Sequence, residues 1–384
     1  MTSMKESDYI DLFLKNNGRS IERIATWKRL RWMLMLNRKA KKLYSEYLNE
    51  TDPVKKNELS AQALNSIDNM LINRARRRCS ILKEDVRLFF TQFGKKTSID
   101  HSDRRVKDYY SVVVITKNSA PYIREFILFY QATGADRIYL YDNDSTDNLA
   151  EMIKPFTESG FVVYRRWPGK IVQSAAYRDA VRRSKRRTKW LAIVDDDEFL
   201  FSPKGPMPEQ LRDYEDYPGV GVNWVMYGPN GHDKSPAGLV MDNYTTTFED
   251  GDCIGNHHIK SIVQPRKVSM IHHAHFAGYK RGQYAVDEKK ETIDNYSAVL
   301  ERTGRAFTPK NYRDIFRINH YCTKSLEDLR RKCLRGFPDG SPNADYDNMV
   351  DAFNAPMVED VAIAPYADIV RERLSQLESC EKTR

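Results

Sequence analysis

Between residues 111 and 194 the apolar positions change their period again and again. "SVVVIT" (111–116) is a short, continuous β-branched run, the pattern of a strand buried on both faces. "PYIREFILFYQATG" (121–134) switches to helical spacing, with Ile123, Phe126, Ile127 and Tyr130 on one face and Gly134 placed to end the helix. A strand follows at "RIYLY" (137–141), then a helix opened by Ser145 that turns Leu149, Met152, Ile153 and Phe156 inward and stops at Gly160. "FVVYRRW" (161–167) predicts a third strand, "VQSAAYRDAVRRSKRR" (172–187) a third helix and "WLAIV" (190–194) a fourth strand.

Strands that alternate with helices run parallel and cross over right-handed, so their carboxyl ends share one edge of the sheet. Four polar exits meet there: "KNS" (117–119), "DND" (142–144), "PGK" (168–170) and "DDDE" (195–198). Open α/β sheets bind ligands at that edge. Neither a GxxxxGK nor a GxGxxG loop is present, which argues against a P-loop enzyme or a dinucleotide-binding dehydrogenase.

Residues 5–92 have a different texture. Few are β-branched, Ile21, Ile24, Trp27 and Leu30 keep helical spacing, and "TDPVKKNE" (51–58) reads as a break between helical hairpins. Polar residues 93–108 read as a linker. The expected organisation is a helical extension over 1–100, an α/β domain over 109–345 and a helical tail over 346–384.

Charge sharpens that division. Up to residue 108 there are 24 Lys and Arg against 14 Asp and Glu, net +10, whereas the rest carries 38 against 39, net −1. Runs such as "KRLRWMLMLNRKAKK" (28–42) and "RARRR" (74–78) fit an anionic membrane surface, a nucleic acid or a partner, and equally a solvated helical face. Five scattered cysteines without CxxC spacing, no long apolar span and no signal-like start make a soluble protein kept inside the cell the expectation.

The chemistry concentrates in "KWLAIVDDDEFLF" (189–201), where a strand core runs into four adjacent carboxylates. If the segment stays extended, alternation points Asp195 and Asp197 to one side and Asp196 to the other. Two carboxylates projecting together can hold Mg²⁺ or Mn²⁺ with positions left for phosphate oxygens. A solvated acidic turn is the plainer reading.

"VVVITKNSAPYIREFILFYQATGADRIYLYDNDSTDNLAEMI", "WPG", "AAYRDA" and "WLAIVDDDEFLF" together resemble the bacterial family-2-like glycosyltransferases related to glycosyltransferase family 92. The likeness continues through "NWVMYGPNGHDKSPAGLV", "IKSIVQPRKV" and "INHYCTKSLEDLRRKCLRG", covering 111–336. It implies a GT-A fold, an α/β architecture with a mixed sheet, and transfer of a sugar from a nucleoside-diphosphate sugar, a UDP-sugar by expectation, to an acceptor hydroxyl of a glycan, polysaccharide or glycolipid, with a divalent metal. It places Asp195 near the donor ribose, Asp197 on the metal, Asp142 facing the nucleobase and Asn118 in the first nucleotide-side loop. Ser119 stands where the family commonly has an acid.

A metal would stabilise charge on the leaving diphosphate, and Lys170 or Arg178 would add to it. Three histidines lie within "IHHAHF" (271–276), and the expectation for a metal-binding histidine falls on His275 first and His273 second. Glu249, Asp250 and Asp252 are equal candidates for the base that takes the acceptor proton in an inverting reaction. His320 and Lys324 precede a helix capped by Thr323 or Ser325, where they could meet diphosphate, while Trp224, Tyr227 and His232 could stack on the acceptor sugar. A metal-dependent nucleotidyl or phosphodiester transferase would use the same carboxylates, and a cation-stabilised scaffold would not need them for catalysis; no nucleic-acid partner is expected. The expected location is cytoplasmic, with the basic helices touching an anionic membrane face.

Overall fold

The computed structural model describes residues 106–170, 172–248, 254–271, 273–280, 283–293, 307–308, 310–335 and 357–382, with single positions at 42, 46, 49, 346 and 350. The chain divides between His101 and Ser102 into two units, and the α/β sheet with its helices lies in the second. Apart from positions 42, 46 and 49, the basic segment, and with it the helices expected there, lies outside the described residues.

The alternating pattern becomes β1 (Asp108–Thr116), α1 (Ala120–Ala132), β2 (Arg137–Asp142), α2 (Leu149–Met152), α3 (Lys154–Glu158), β3 (Val162–Arg166), α4 (Gln173–Ser184) and β4 (Thr188–Asp195). One helix expected after Ser145 is two short ones, because Pro155 at the second residue of α3 favours a fresh helical start. Gly134 ends α1 at φ +92°, where a Cβ would come within 2.9 Å of the Pro208 ring.

Beyond β4 come β5 (Glu198–Phe201), α5 (Met207–Leu211), β6 (Gly219–Met226), α6 (Val240–Asn243), β7 (Thr246–Phe248), β8 (Ile259–Val263), β9 (Val268–Ile271), β10 (Ala277–Tyr279), β11 (Ala285–Val286) and β12 (Thr292–Ile293). β13 (Arg317–His320), α7 (Leu326–Arg335), β14 (Met357–Glu359) and α8 (Ala364–Lys382) complete the described elements. The main sheet runs β12-β11-β6-β8-β4-β1-β2-β3, and β13 bridges β5 and β6. β3, β2, β1 and β4 are mutually parallel; β8 is antiparallel to both β4 and β6. The parallel strands are those the pattern predicts, and the mixed, mostly parallel α/β sheet is the one the family resemblance implies.

The core lies on both faces of that sheet. On one, Phe126, Phe129 and Tyr130 of α1 meet Phe199 and Phe201 of β5, with ring centroids 4.9 Å apart for Phe129 and Phe199. Each fully buried Phe contributes about 2–3 kcal/mol. α8 belongs to this cluster: the Tyr366 ring lies 5.7 Å from Phe129 and 5.4 Å from Phe201, and its hydroxyl donates to the Ser202 carbonyl. On the other face Ala176, Tyr177 and Ala180 of α4 cover Val113, Ile115, Leu191 and Ile193.

Glu125 of α1 is the buried acid of the first core layer. Its carboxylate accepts the Val240 and Met241 amides at 2.8 and 3.0 Å, tying α1 to the start of α6. Burial pushes its carboxyl up from 4.5 to about 7, against those two donors. The folded protein therefore keeps a proton that the unfolded chain has released. That contribution is complete below pH 4.5 and is lost as pH rises through about 7, a change of roughly 3 kcal/mol. Urea unfolding of Glu125→Gln across that range should show a flatter pH profile than the wild type; identical profiles would remove Glu125 as the cause.

Candidate functional site

The four polar exits do converge, stitched by their own hydrogen bonds. Asn143 donates its backbone amide to the Thr116 carbonyl and its side-chain amide to the carbonyls of Trp167 and Gly169 at 2.9 and 3.0 Å, joining the ends of β1, β2 and β3. Asn118 adopts φ +55° and accepts the Thr146 amide at 2.7 Å. It is exposed on the loop after β1. Asp142 is buried and committed, one oxygen to the Ser145 amide and the other to the Tyr164 hydroxyl. Here Asp142 holds the loop's shape. Its neighbours Asn143 and Asp144 carry the remaining polar groups of that exit, Asp144 pairing with Arg166 at 3.2 Å.

The DDDE run does not stay extended. β4 stops at Asp195, residues 196–197 form the turn, and β5 starts at Glu198, so strict alternation ends where the expectation needed it. Each carboxylate takes its own partners. Asp195 accepts from Gln173 and Tyr177 of α4, each at 2.8 Å, and from the Lys260 ammonium at 2.6 Å. Asp196 is bound by the hydroxyls of Thr116 and Ser119. Ser119, which stands where the family that the sequence resembles commonly has an acid, thus clamps the acidic turn to the β1 exit. Asp197 accepts from Lys332 at 2.6 Å, and His320 Nε2 lies 3.5 Å from its other oxygen.

Two later elements supply those partners. β13 pairs antiparallel with β5, setting His320 opposite Glu198, and the Tyr321 amide donates to the Asp197 carbonyl. α7 follows, its first turn capped by Ser325, whose hydroxyl accepts the Asp328 amide. Leu329 and Cys333 pack inward from α7, and Lys332 reaches Asp197 from beside them.

Electrostatics follow from the pairing. Burial alone would raise the Asp197 carboxyl, but Lys332 and then His320 hold it well below the usual carboxylate range. Burial would lower Lys332, yet Asp197 keeps it raised. His320 is shifted down because burial outweighs Asp197. Glu198 is fully buried and pushed well up by desolvation, against the pull of Lys260, and Oε1 has no partner among the described residues.

The histidine beside Asp197 is therefore His320, not His275 or His273. His275 bonds its Nδ1 to the Ile259 carbonyl and packs against Trp224, and burial drives it well below its ordinary value. His273 stacks on His275 at 4.9 Å. Both belong to an aromatic cluster in which the Trp224 ring also lies 4.8 Å from His258 and 4.2 Å from His320. Tyr227 is fully buried against Tyr321, a core role, and His232 packs on Tyr244. Lys170 is exposed at the β3 exit, while Arg178 points to the Ile271 carbonyl at 3.4 Å, away from the turn. Glu249, Asp250 and Asp252 lie outside the described residues. Sequence reasoning missed Lys260 and Lys332. A lone buried lysine in "HHIKSIV" (257–263) was the available signal for the first; for the second it was helical spacing from Leu329.

A hard divalent cation takes about six donors. Among the described residues no three His, Cys, Asp or Glu side chains converge, and a lysine ammonium already sits on each of the two aspartates. As placed, these side chains do not fit Mn²⁺ or Mg²⁺.

The sequence pattern of glycosyltransferase family 92 matches residues 113–332, more than half the chain and the whole of the site just described. The chain belongs to glycosyltransferase family 92. A family 92 protein of Oryza sativa subsp. japonica is 29% identical over 45% of this chain and 30% of its own length. One from Arabidopsis thaliana is 26% identical over 57% and 40%. The chain thus spans about a third of the length of these curated relatives, and both are plant proteins. Among solved structures, Staphylococcus aureus TarS (residues 1–349) overlays 64% of this family 92 chain and 70% of its own at 12% identity and a TM-score of 0.32, too partial an overlay to bear on chemistry.

Proposed function

We propose that this family 92 protein transfers a sugar from a nucleoside-diphosphate sugar, a UDP-sugar, to a hydroxyl of a glycan, polysaccharide or glycolipid. The observation that carries the reading is the edge itself: four parallel-strand exits bonded into one rim, with a carboxylate turn and two lysines at its centre, inside the segment matched by the family. Sugar transfer breaks the bond from anomeric carbon to phosphate and leaves charge on the diphosphate, which needs fixed positive charge in a dry site. Lys332, and Lys324 close behind it on the approach to α7, supply that sign beside the turn. Family membership favours sugar transfer over nucleotidyl transfer by the same acids.

The divalent cation expected for the diphosphate finds no fitting donor set in the described side chains as placed. Proton removal from the acceptor by Glu249, Asp250 or Asp252, and an inverting course, extend this reading, as does the division into a 1–100 extension, a 109–345 catalytic domain and a 346–384 tail. No helix among the described residues is long and apolar enough to cross a membrane. Cytoplasmic work at an anionic membrane face, reached through the basic segment, would suit a glycolipid acceptor.

Thermal unfolding with UDP, GDP, ADP and their sugars tests the donor. Ligand at a hundred times its Kd stabilises by about 2.7 kcal/mol, a rise of roughly 3–5 °C for a chain of this size. Asp142→Asn should reduce the UDP shift by loosening the loop tied to Ser145 and Tyr164. If no nucleoside diphosphate, with or without Mn²⁺, moves the transition, the donor reading fails.

A further inference from the structure

α7 carries a different chemistry on each of its sides. On the inner side Leu329 and Cys333 pack into the domain and Lys332 reaches Asp197. Arg330, Arg331, Leu334 and Arg335, at positions i, i+1, i+4 and i+5, form one continuous strip on the opposite side, and all four are exposed. Leu334 is 79% exposed, more than any other large apolar side chain among the described residues. Arg331 is answered by Asp328. Arg330 lies over the Tyr346 ring at 5.0 Å and Arg335 donates to the Lys117 carbonyl, and neither has a carboxylate partner among the described residues. Glu327, the exposed acid of α7, lies about two turns back from Leu334.

A single leucine is ordinary on a protein surface. This one is flanked by arginines, two of them without an acid, which is the composition of a helix that lies at the boundary between lipid headgroups and acyl chains. Arginine stems run along the apolar layer while their guanidinium groups meet phosphate. A soluble polyanion satisfies the arginines and leaves Leu334 in water; an anionic bilayer satisfies both. We propose that the outer face of α7 is the surface on which this protein rests on an anionic lipid bilayer, with Leu334 inserted at headgroup depth and Arg330 and Arg335 on lipid phosphates. The proposal rests on the membrane-face reading given above and deepens it, by placing a contact on the α/β domain itself. Lys332 joins this helix to Asp197, so the bilayer surface lies on the order of 10 Å, one helix diameter, from the acidic turn. A hydroxyl carried close to a lipid headgroup, as in a glycolipid, is then within reach of the site.

The test is flotation of the full chain with vesicles of phosphatidylcholine, alone or mixed with phosphatidylglycerol. Wild type should bind the mixed vesicles and not the neutral ones. Leu334→Ser should weaken that binding about tenfold, and Arg330→Ser and Arg335→Ser about fivefold each. Leu334→Trp should tighten it severalfold, because an indole favours that boundary. All three positions are exposed, so thermal unfolding of these variants should match the wild type. Loss on the arginine substitutions without loss on Leu334→Ser marks a soluble polyanion as the partner and overturns the proposal. Binding that ignores every α7 substitution but vanishes when Arg74, Arg76, Arg77 and Arg78 become serine overturns it too, and leaves the membrane reading standing on the N-terminal segment. Wild type that floats with neither vesicle overturns both, while the nucleotide thermal shifts decide sugar transfer independently.

Discussion

Asp197→Ala is expected to lower sugar transfer by on the order of 10²–10³ and to destabilise the fold by about 3–5 kcal/mol. Both effects trace to one ion pair. With the carboxylate gone, the Lys332 ammonium keeps its anchor on the Cys322 carbonyl but loses its counter-charge in a largely buried position. His320, held neutral by burial, loses the group that faces it. Urea unfolding should show the loss, and the double variant Asp197→Ala with Lys332→Met should recover most of the stability and none of the activity, because stability needs only a balanced site. An Asp197→Ala protein as stable and as active as the wild type would mean that the pair is ornamental. Acid should act in the same direction. A depressed carboxylate lends its stability above the ordinary carboxyl range, and that contribution is lost as pH falls toward the depressed value.

The sheet was legible because each of its early elements has a single clear period. "SVVVIT" and "WLAIV" can only be buried strands, and Ile123, Phe126, Ile127 and Tyr130 fix the inner face of α1, so the parallel order and the shared edge follow from chain connectivity. The identity of the acidic turn was legible for the same reason. Its geometry was not. Alternation assumes extended backbone, and the reversal at 196–197 depends on β5 pairing with β13, more than a hundred residues later. The partners were hidden likewise. Lys332 looks like one of several cations in "EDLRRKCLRG", and only the packing of Leu329 and Cys333 decides which one turns inward. His275 attracted attention through local histidine density, yet Ile259 and Trp224 claim it, while isolated His320 reaches Asp197 through strand pairing.

Lys260→Met is the second large effect, and it separates the two lysines by burial. Lys260 projects from β8 beside β4, almost wholly enclosed, and bonds Asp195 at 2.6 Å with Glu198 at 3.5 Å. Burial disfavours its charge, but Asp195 and then Glu198 keep the ammonium raised above its ordinary value. Methionine matches the stem and removes the charge, leaving Asp195 with only Gln173 and Tyr177 as donors. A cost of about 3–5 kcal/mol is expected, by the rule that half a buried pair is worse than none. Glu198 should add less to that cost, because desolvation pushes its carboxyl up, against the pull of Lys260, and so weakens its demand for a counter-charge. Glu198→Gln alone should therefore cost about 1 kcal/mol, the scale of one altered hydrogen bond to the Asp195 amide. The two substitutions, compared by urea unfolding at neutral pH, discriminate sharply. A severe Glu198→Gln with a mild Lys260→Met would show that the ammonium neutralises Glu198 instead, and that Asp195 stands at the edge of the site with its charge free.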